Sequence, residues 1–140
     1  MQQHAEDMIF PLVEKMLEIE LKRNHRISLT NAACIEPDFY SQSDKVVGEI
    51  YAHIGTPKAG QQRKIANDIL KLLLLEKAEG ILYKKIIAVC DESLFKFLQG
   101  KSFIAESVRQ FDIEVMFIEI PAELRSELLM AQKNQKMVNA

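Results

Sequence analysis

The residues that could do chemistry gather in the middle of the chain. Asp38 follows a proline in Glu36-Pro37-Asp38, and Glu49 sits in the apolar run Val46-Val47-Gly48-Glu49-Ile50-Tyr51. Carboxylate oxygens suit hard cations such as Mg²⁺ and Mn²⁺. Alternation along a strand puts Glu49, Tyr51 and His53 on one face, where His53 is either a proton carrier or a hydrogen-bonded core residue. Gln61 and Gln62 open the following helix, whose free N–H groups attract phosphate, and Lys58, Arg63 and Lys64 add positive charge around them. His4, His25 and His53 lack zinc spacing, Cys34 and Cys90 stand alone as buried reduced thiols, and the 55–60 loop matches neither the Walker nor the dinucleotide-binding glycine pattern.

Positioning these residues takes a regular alternation of elements. Ile9, Leu12, Val13 and Met16 predict a helix over 5–23, with Pro11 tolerated as an early residue. On that helix Glu20 falls four residues after Met16 and shares the apolar face, where a carboxylate must be paired or metal-bound; Arg23 and Arg26 are the alternative partners. Strands are predicted over 26–35, 38–40 and 46–54, the last two joined by a polar hairpin connection. Ile65, Ile69, Leu72 and Leu73 predict a helix over 61–77 that ends at Gly80, with Gln61, Lys64, Asp68 and Lys71 as its polar side. A nearly continuous apolar strand over 81–90 reads as central. Short helices over 93–98 and 102–110, a strand over 112–120 and a closing helix over 122–136 complete an α-β-β-β-α-β-α-β-α order.

Pro37-Asp38 followed by Gly48-Glu49-Ile50-Tyr51, on the second and third strands of that order, resembles the signature of the PD-(D/E)XK, or restriction-endonuclease-like, nuclease superfamily across roughly residues 20–120. The resemblance implies an α/β fold with a central mixed sheet flanked by helices. It also implies a Mg²⁺ or Mn²⁺ ion held by Asp38 and Glu49 with help from the intervening backbone carbonyl, Glu20 as a third acidic ligand from the first helix, and hydrolysis of DNA phosphodiesters. The lysine expected two residues after the second acid is Tyr51. In several branches of the superfamily another element supplies it, which makes Lys58 and Lys64 the substitutes. Gln61 or Gln62 resembles the glutamine of exonuclease-like branches, and with Lys58 and Arg63 would contact nucleic acid.

The hydrophobic fraction of 48% in 140 residues suffices for one core and one domain spanning 1–140. A net charge of -2 argues against a protein that grips nucleic acid by bulk electrostatics, though basic clusters at 22–26, 58–64 and 84–85 leave room for a local binding face. Without a secretory leader pattern or a spanning apolar run, a soluble cytoplasmic protein is expected. Three functions stay open: a metal-dependent nuclease, a degenerate nuclease-fold binding or assembly module in which Tyr51 marks the lost site, and a small-molecule-binding α/β protein. A domain this small acting on DNA would be expected to work as a homodimer or with a partner protein.

Overall fold

The computed structural model describes residues 2–29 and 33–138. Helix α1 (Gln2–Leu17) buries Ala5, Ile9 and Val13 at four-residue spacing. It begins earlier than expected, so Pro11 falls inside it and the helix forgoes one internal hydrogen bond there. It also stops six residues before the expected end. Glu18 turns left-handed at φ 57°, its N–H donates to the Glu14 carbonyl at 2.8 Å, and the Glu14 carboxylate accepts the Leu21 N–H at 2.9 Å. The side chain of a residue four before the stop thus does the work a glycine usually does.

Beyond this stop, β1 (Lys22–Arg23) pairs antiparallel with β4 (Phe39–Ser41) at the sheet edge. The expected strand over 26–35 is instead a separate hairpin of β2 (Ile27–Ser28) and β3 (Cys34–Ile35), with 30–32 outside the described residues. Cys34 is exposed there, contrary to expectation, whereas Cys90 is buried.

The main sheet runs β1-β4-β5-β6-β7, adding β5 (Val46–Tyr51), β6 (Lys84–Val89) and β7 (Ile113–Phe117). β4 and β5 are antiparallel, joined by the Ser41–Asp44 turn. β5–β6 and β6–β7 are parallel, which requires crossovers; α2 (Ala59–Glu79) makes the first, and α3 (Glu92–Phe97) with α4 (Phe103–Gln110) the second. Helix α5 (Ala122–Val138) closes the chain. The result is a central five-stranded mixed sheet flanked by helices on both faces.

Strand alternation divides the core. Ile50, Ala52, Ile86 and Ala88 pack with α1 and α5, while Tyr51, Ile87 and Val89 pack with Ile65 and Ile69 of α2 and with α3 and α4. β6 is buried throughout except Lys84, and buried Lys85 pairs with Glu76 at 2.8 Å, so the 84–85 pair is not a surface basic cluster. No helix among the described residues is long and apolar enough to cross a membrane.

Gly48 is set by packing: a Cβ there would lie 2.2 Å from the Phe39 ring and 2.5 Å from the Ile86 carbonyl oxygen. We expect Gly48→Ala to destabilise the fold by about 1–3 kcal/mol, the usual cost of overpacking, read as a lower urea midpoint with an unchanged slope. An unshifted midpoint would show that Phe39 has room to move.

Candidate active site

The register of β4 against β5 creates the site. Phe39 lies opposite Gly48, so the next hydrogen-bonding position, opposite Ile50, belongs to Pro37. Proline has no N–H to give the Ile50 carbonyl, and the ladder ends there. Asp38 fills the gap from its side chain: its Oδ2 accepts the Ile50 N–H at 2.7 Å, and its own N–H donates to Glu49 Oε2 at 3.3 Å. The Pro-Asp pair therefore parts the strands and holds two carboxyl groups together at the parting.

Glu49 is 1% exposed. On its strand face lies α2, which presents Lys64, Asp68 and Lys71 at four- and three-residue spacing, hence on one side of the helix. The Lys71 Nζ stands 2.6 Å from Glu49 Oε1 and 3.3 Å from Asp68 Oδ1. Lys71 thus faces Oε1 of Glu49, while Oε2 accepts the Asp38 N–H. Tyr51 donates its hydroxyl to Asp68 Oδ2, which also receives Lys64 at 3.1 Å, and the Lys64 ammonium lies 4.7 Å above the Tyr51 ring. Buried Asp68 thus organises both lysines and the tyrosine.

Charge follows from this crowding. Burial, then the neighbouring Asp38 charge, pushes the Glu49 carboxyl up to about 9, and the Lys71 ammonium only partly offsets them. Glu6 of α1 is pushed up to about 7 by burial and by the Asp38 charge, with Lys64 and Arg23 acting the other way. Burial works to lower the Lys71 ammonium, but Glu49 and Asp68 outweigh it and keep it charged. Tyr51 is raised by burial and by Asp68, so its phenol stays neutral and acts as a donor.

Several expected site residues lie elsewhere. Glu20 follows the end of α1 and is exposed; the first-helix acid beside Asp38 is Glu6. Lys58 is exposed in the β5–α2 loop, with no contact to Asp38 or Glu49 among the described residues, and its charge is felt at His53. Lys64 does reach the cluster, through Asp68. Gln61 accepts the Lys58 N–H at 2.8 Å and bonds His53 Nδ1 at 3.0 Å, and Gln62 donates to the Pro57 carbonyl at 3.0 Å, so both brace the loop rather than face the carboxyls. Arg63 is exposed. His53 is half-buried and held below its ordinary value by burial, hence a neutral hydrogen-bonded residue at neutral pH. Lys71, Asp68 and Glu6 were not among the expected site residues. Their signal lies in the 64-68-71 spacing opposite Glu49 and Tyr51, which reads as a solvated helix face unless the helix is known to lie on β5.

Among the described residues no three His, Cys, Asp or Glu side chains form a metal-holding group. Two carboxyls do meet: Asp38 and Glu49 are near enough to share a hydrogen bond when one is protonated. Their oxygen chemistry, and the strain each charge imposes on the other, fit a hard divalent cation. No family model, curated protein or solved structure matches this chain.

Below about 9 the folded protein binds a proton at Glu49 that the unfolded chain releases near the ordinary carboxyl value, so stability must fall as pH rises through that window. Glu6 adds the same sign up to about 7. Two lowered groups act with the opposite sign: Asp91, held down by the Gly55 N–H, Arg125 and the Ser93 N–H despite its burial, only below the window, and His53, lowered by burial, only up to its ordinary value of 6.5. In chelator, the thermal midpoint should therefore be higher near about pH 6 than near about pH 9, and Glu49→Gln should flatten the slope. A midpoint that rises with pH would show Glu49 to be ionised throughout.

Proposed function

We propose that this chain is a metal-dependent nuclease of the PD-(D/E)XK type that hydrolyses DNA phosphodiesters at the Asp38/Glu49 pair. The observation that carries the reading is the Lys71 ammonium 2.6 Å from Glu49. It restores the positive charge that Tyr51 fails to supply, and from a neighbouring element, as in the branches of the superfamily whose lysine has moved. The sheet order, the short antiparallel β4–β5 pair and a first-helix acid near the site lend further support.

Asp38 and Glu49 would hold Mg²⁺ or Mn²⁺. Such an ion supplies a more acidic bound water and neutralises charge on the phosphate. Lys71 carries fixed charge toward the water and the scissile phosphate, where preorganised charge is worth most. Asp68 keeps Lys71 and Lys64 in place, and neutral Tyr51 orients Asp68. Glu6, pushed up to about 7, would exchange a proton near neutral pH. Sequence readout by so small a domain would come from a homodimer or a partner protein.

Single-turnover cleavage of labelled single- and double-stranded DNA tests the proposal. Cleavage should require Mg²⁺ or Mn²⁺ and stop in chelator. Lys71→Met should slow it by roughly 10²–10³-fold while calorimetry still detects Mn²⁺, whereas Glu49→Ala should lose both. Cleavage that survives Glu49→Ala would sink the reading. Metal binding without turnover in the wild type would make the chain a binding or assembly module instead.

A further inference from the structure

Beside the carboxyl cluster the surface opens into a groove of about 900 Å³ that the proposed hydrolysis does not use. One wall is the loop after β5 and the first turns of α2, with Lys58 and Lys64; the other is the second half of α5, with Lys133 and Lys136. No aspartate or glutamate is among the described residues lining it, in a chain whose net charge is -2. Along the walls the lining is mixed, with Ile54, Leu128 and the half-exposed Leu129 beside His53, Gln61, Gln132 and Gln135.

The walls are fastened together. Gln132 of α5 takes both backbone groups of Ile54, accepting its N–H at 2.8 Å and donating to its carbonyl at 3.0 Å. Asp91 accepts the Gly55 N–H at 2.9 Å and, on its other oxygen, Arg125 of α5 at 2.9 Å. These four hydrogen bonds tie the loop after β5 to α5 and to Asp91, and so fix the two walls relative to each other.

We infer that this groove is a track for single-stranded nucleic acid leading to the Asp38/Glu49 pair, with Lys133 and Lys136 of α5 as its outer phosphate contacts. The inference rests on the nuclease reading for where the strand leads, but its binding can be measured separately. Lysines on both rims match one strand, whose phosphates seek cations, and the leucines among the lining give its bases a surface on which to shed water. A space the size of a drug-sized ligand pocket admits a few nucleotides of one strand. Lys64 belongs to both places: it lines the groove and bonds Asp68 of the cluster at 3.1 Å, so a strand held by it is delivered to the carboxyls.

Fluorescence anisotropy of the full chain in chelator, where no cleavage is expected, tests this with a labelled DNA strand of about 16 nucleotides, its duplex and the matching RNA strand. The single strand should bind more tightly than the duplex. The double variant Lys133→Ala/Lys136→Ala, altering two exposed residues, should weaken it roughly tenfold and lower the salt slope by about 1.4, with an unchanged thermal midpoint. Equal binding of the RNA strand supports the track and names a second source of the strand. Duplex binding as tight as single-strand binding, or a double variant that binds like the wild type, overturns it. A wild type that binds the strand through these lysines yet never cuts it leaves the track standing and removes the nuclease reading; undiminished cutting by the double variant does the reverse.

Discussion

The structure turns on a missing hydrogen-bond donor. Pro37 occupies the position where β4 would next bond β5, and without its N–H the Ile50 carbonyl has no ladder partner. An uncompensated backbone group inside a sheet is costly. Asp38 serves the other backbone group of Ile50 instead, accepting its N–H at 2.7 Å, and in doing so brings its carboxyl against Glu49. The electrostatic problem of the site is thus a consequence of a local backbone problem, solved with the shortest acidic side chain.

Helix α2 meets that problem with two stripes. Ile65, Ile69 and Leu72 hold it on the sheet, while Asp68 and Lys71 run alongside and turn toward β5, and exposed Lys64 lies over the Tyr51 ring. Asp68 is 4% exposed, and a carboxylate so buried survives only because two ammonium groups and a phenol hydroxyl reach it. Tyr51 fits this arrangement better than lysine would. A third cation on that strand face would crowd Lys64 and Lys71, whereas a neutral hydroxyl donates to Asp68 and offers its ring to Lys64.

Elements with strong periodicity were legible in the sequence: the α2 stripe, the apolar β6 and the alternation of β5 that separates Glu49 and Tyr51 from Ile50 and Ala52. The end of α1 was not, because it is made by Glu18 in a left-handed conformation and by a long-range carboxylate contact, neither of which leaves a glycine to read. That single misplacement moved Glu20 onto a helix it does not occupy and hid Glu6, which sits beside buried Ala5 at the other end. The stretch after Asn24 has strand composition, yet its pairing closes on itself as β2–β3, a choice of partner that composition does not express. Asp38 and Glu49 were legible as a pair because proline and buried acid mark the backbone. Lys71 was not, because a lysine on a polar stripe looks the same whether the stripe faces water or a strand.

The same ambiguity explains why the positive charge of this protein is easy to overlook. Its balance is slightly acidic, but the cations are not spread evenly. Lys71 and Lys64 are tied to carboxylates within the fold, while Lys58, Lys133 and Lys136 line a groove without an acid among its described lining residues. Because α5 is clamped to the Ile54 backbone by Gln132, the outer lysines keep a fixed relation to β5, and through β5 to Glu49. Local potential over such a groove depends on that arrangement and not on the sum over the chain, and it is the local potential that a polyanion meets on approach.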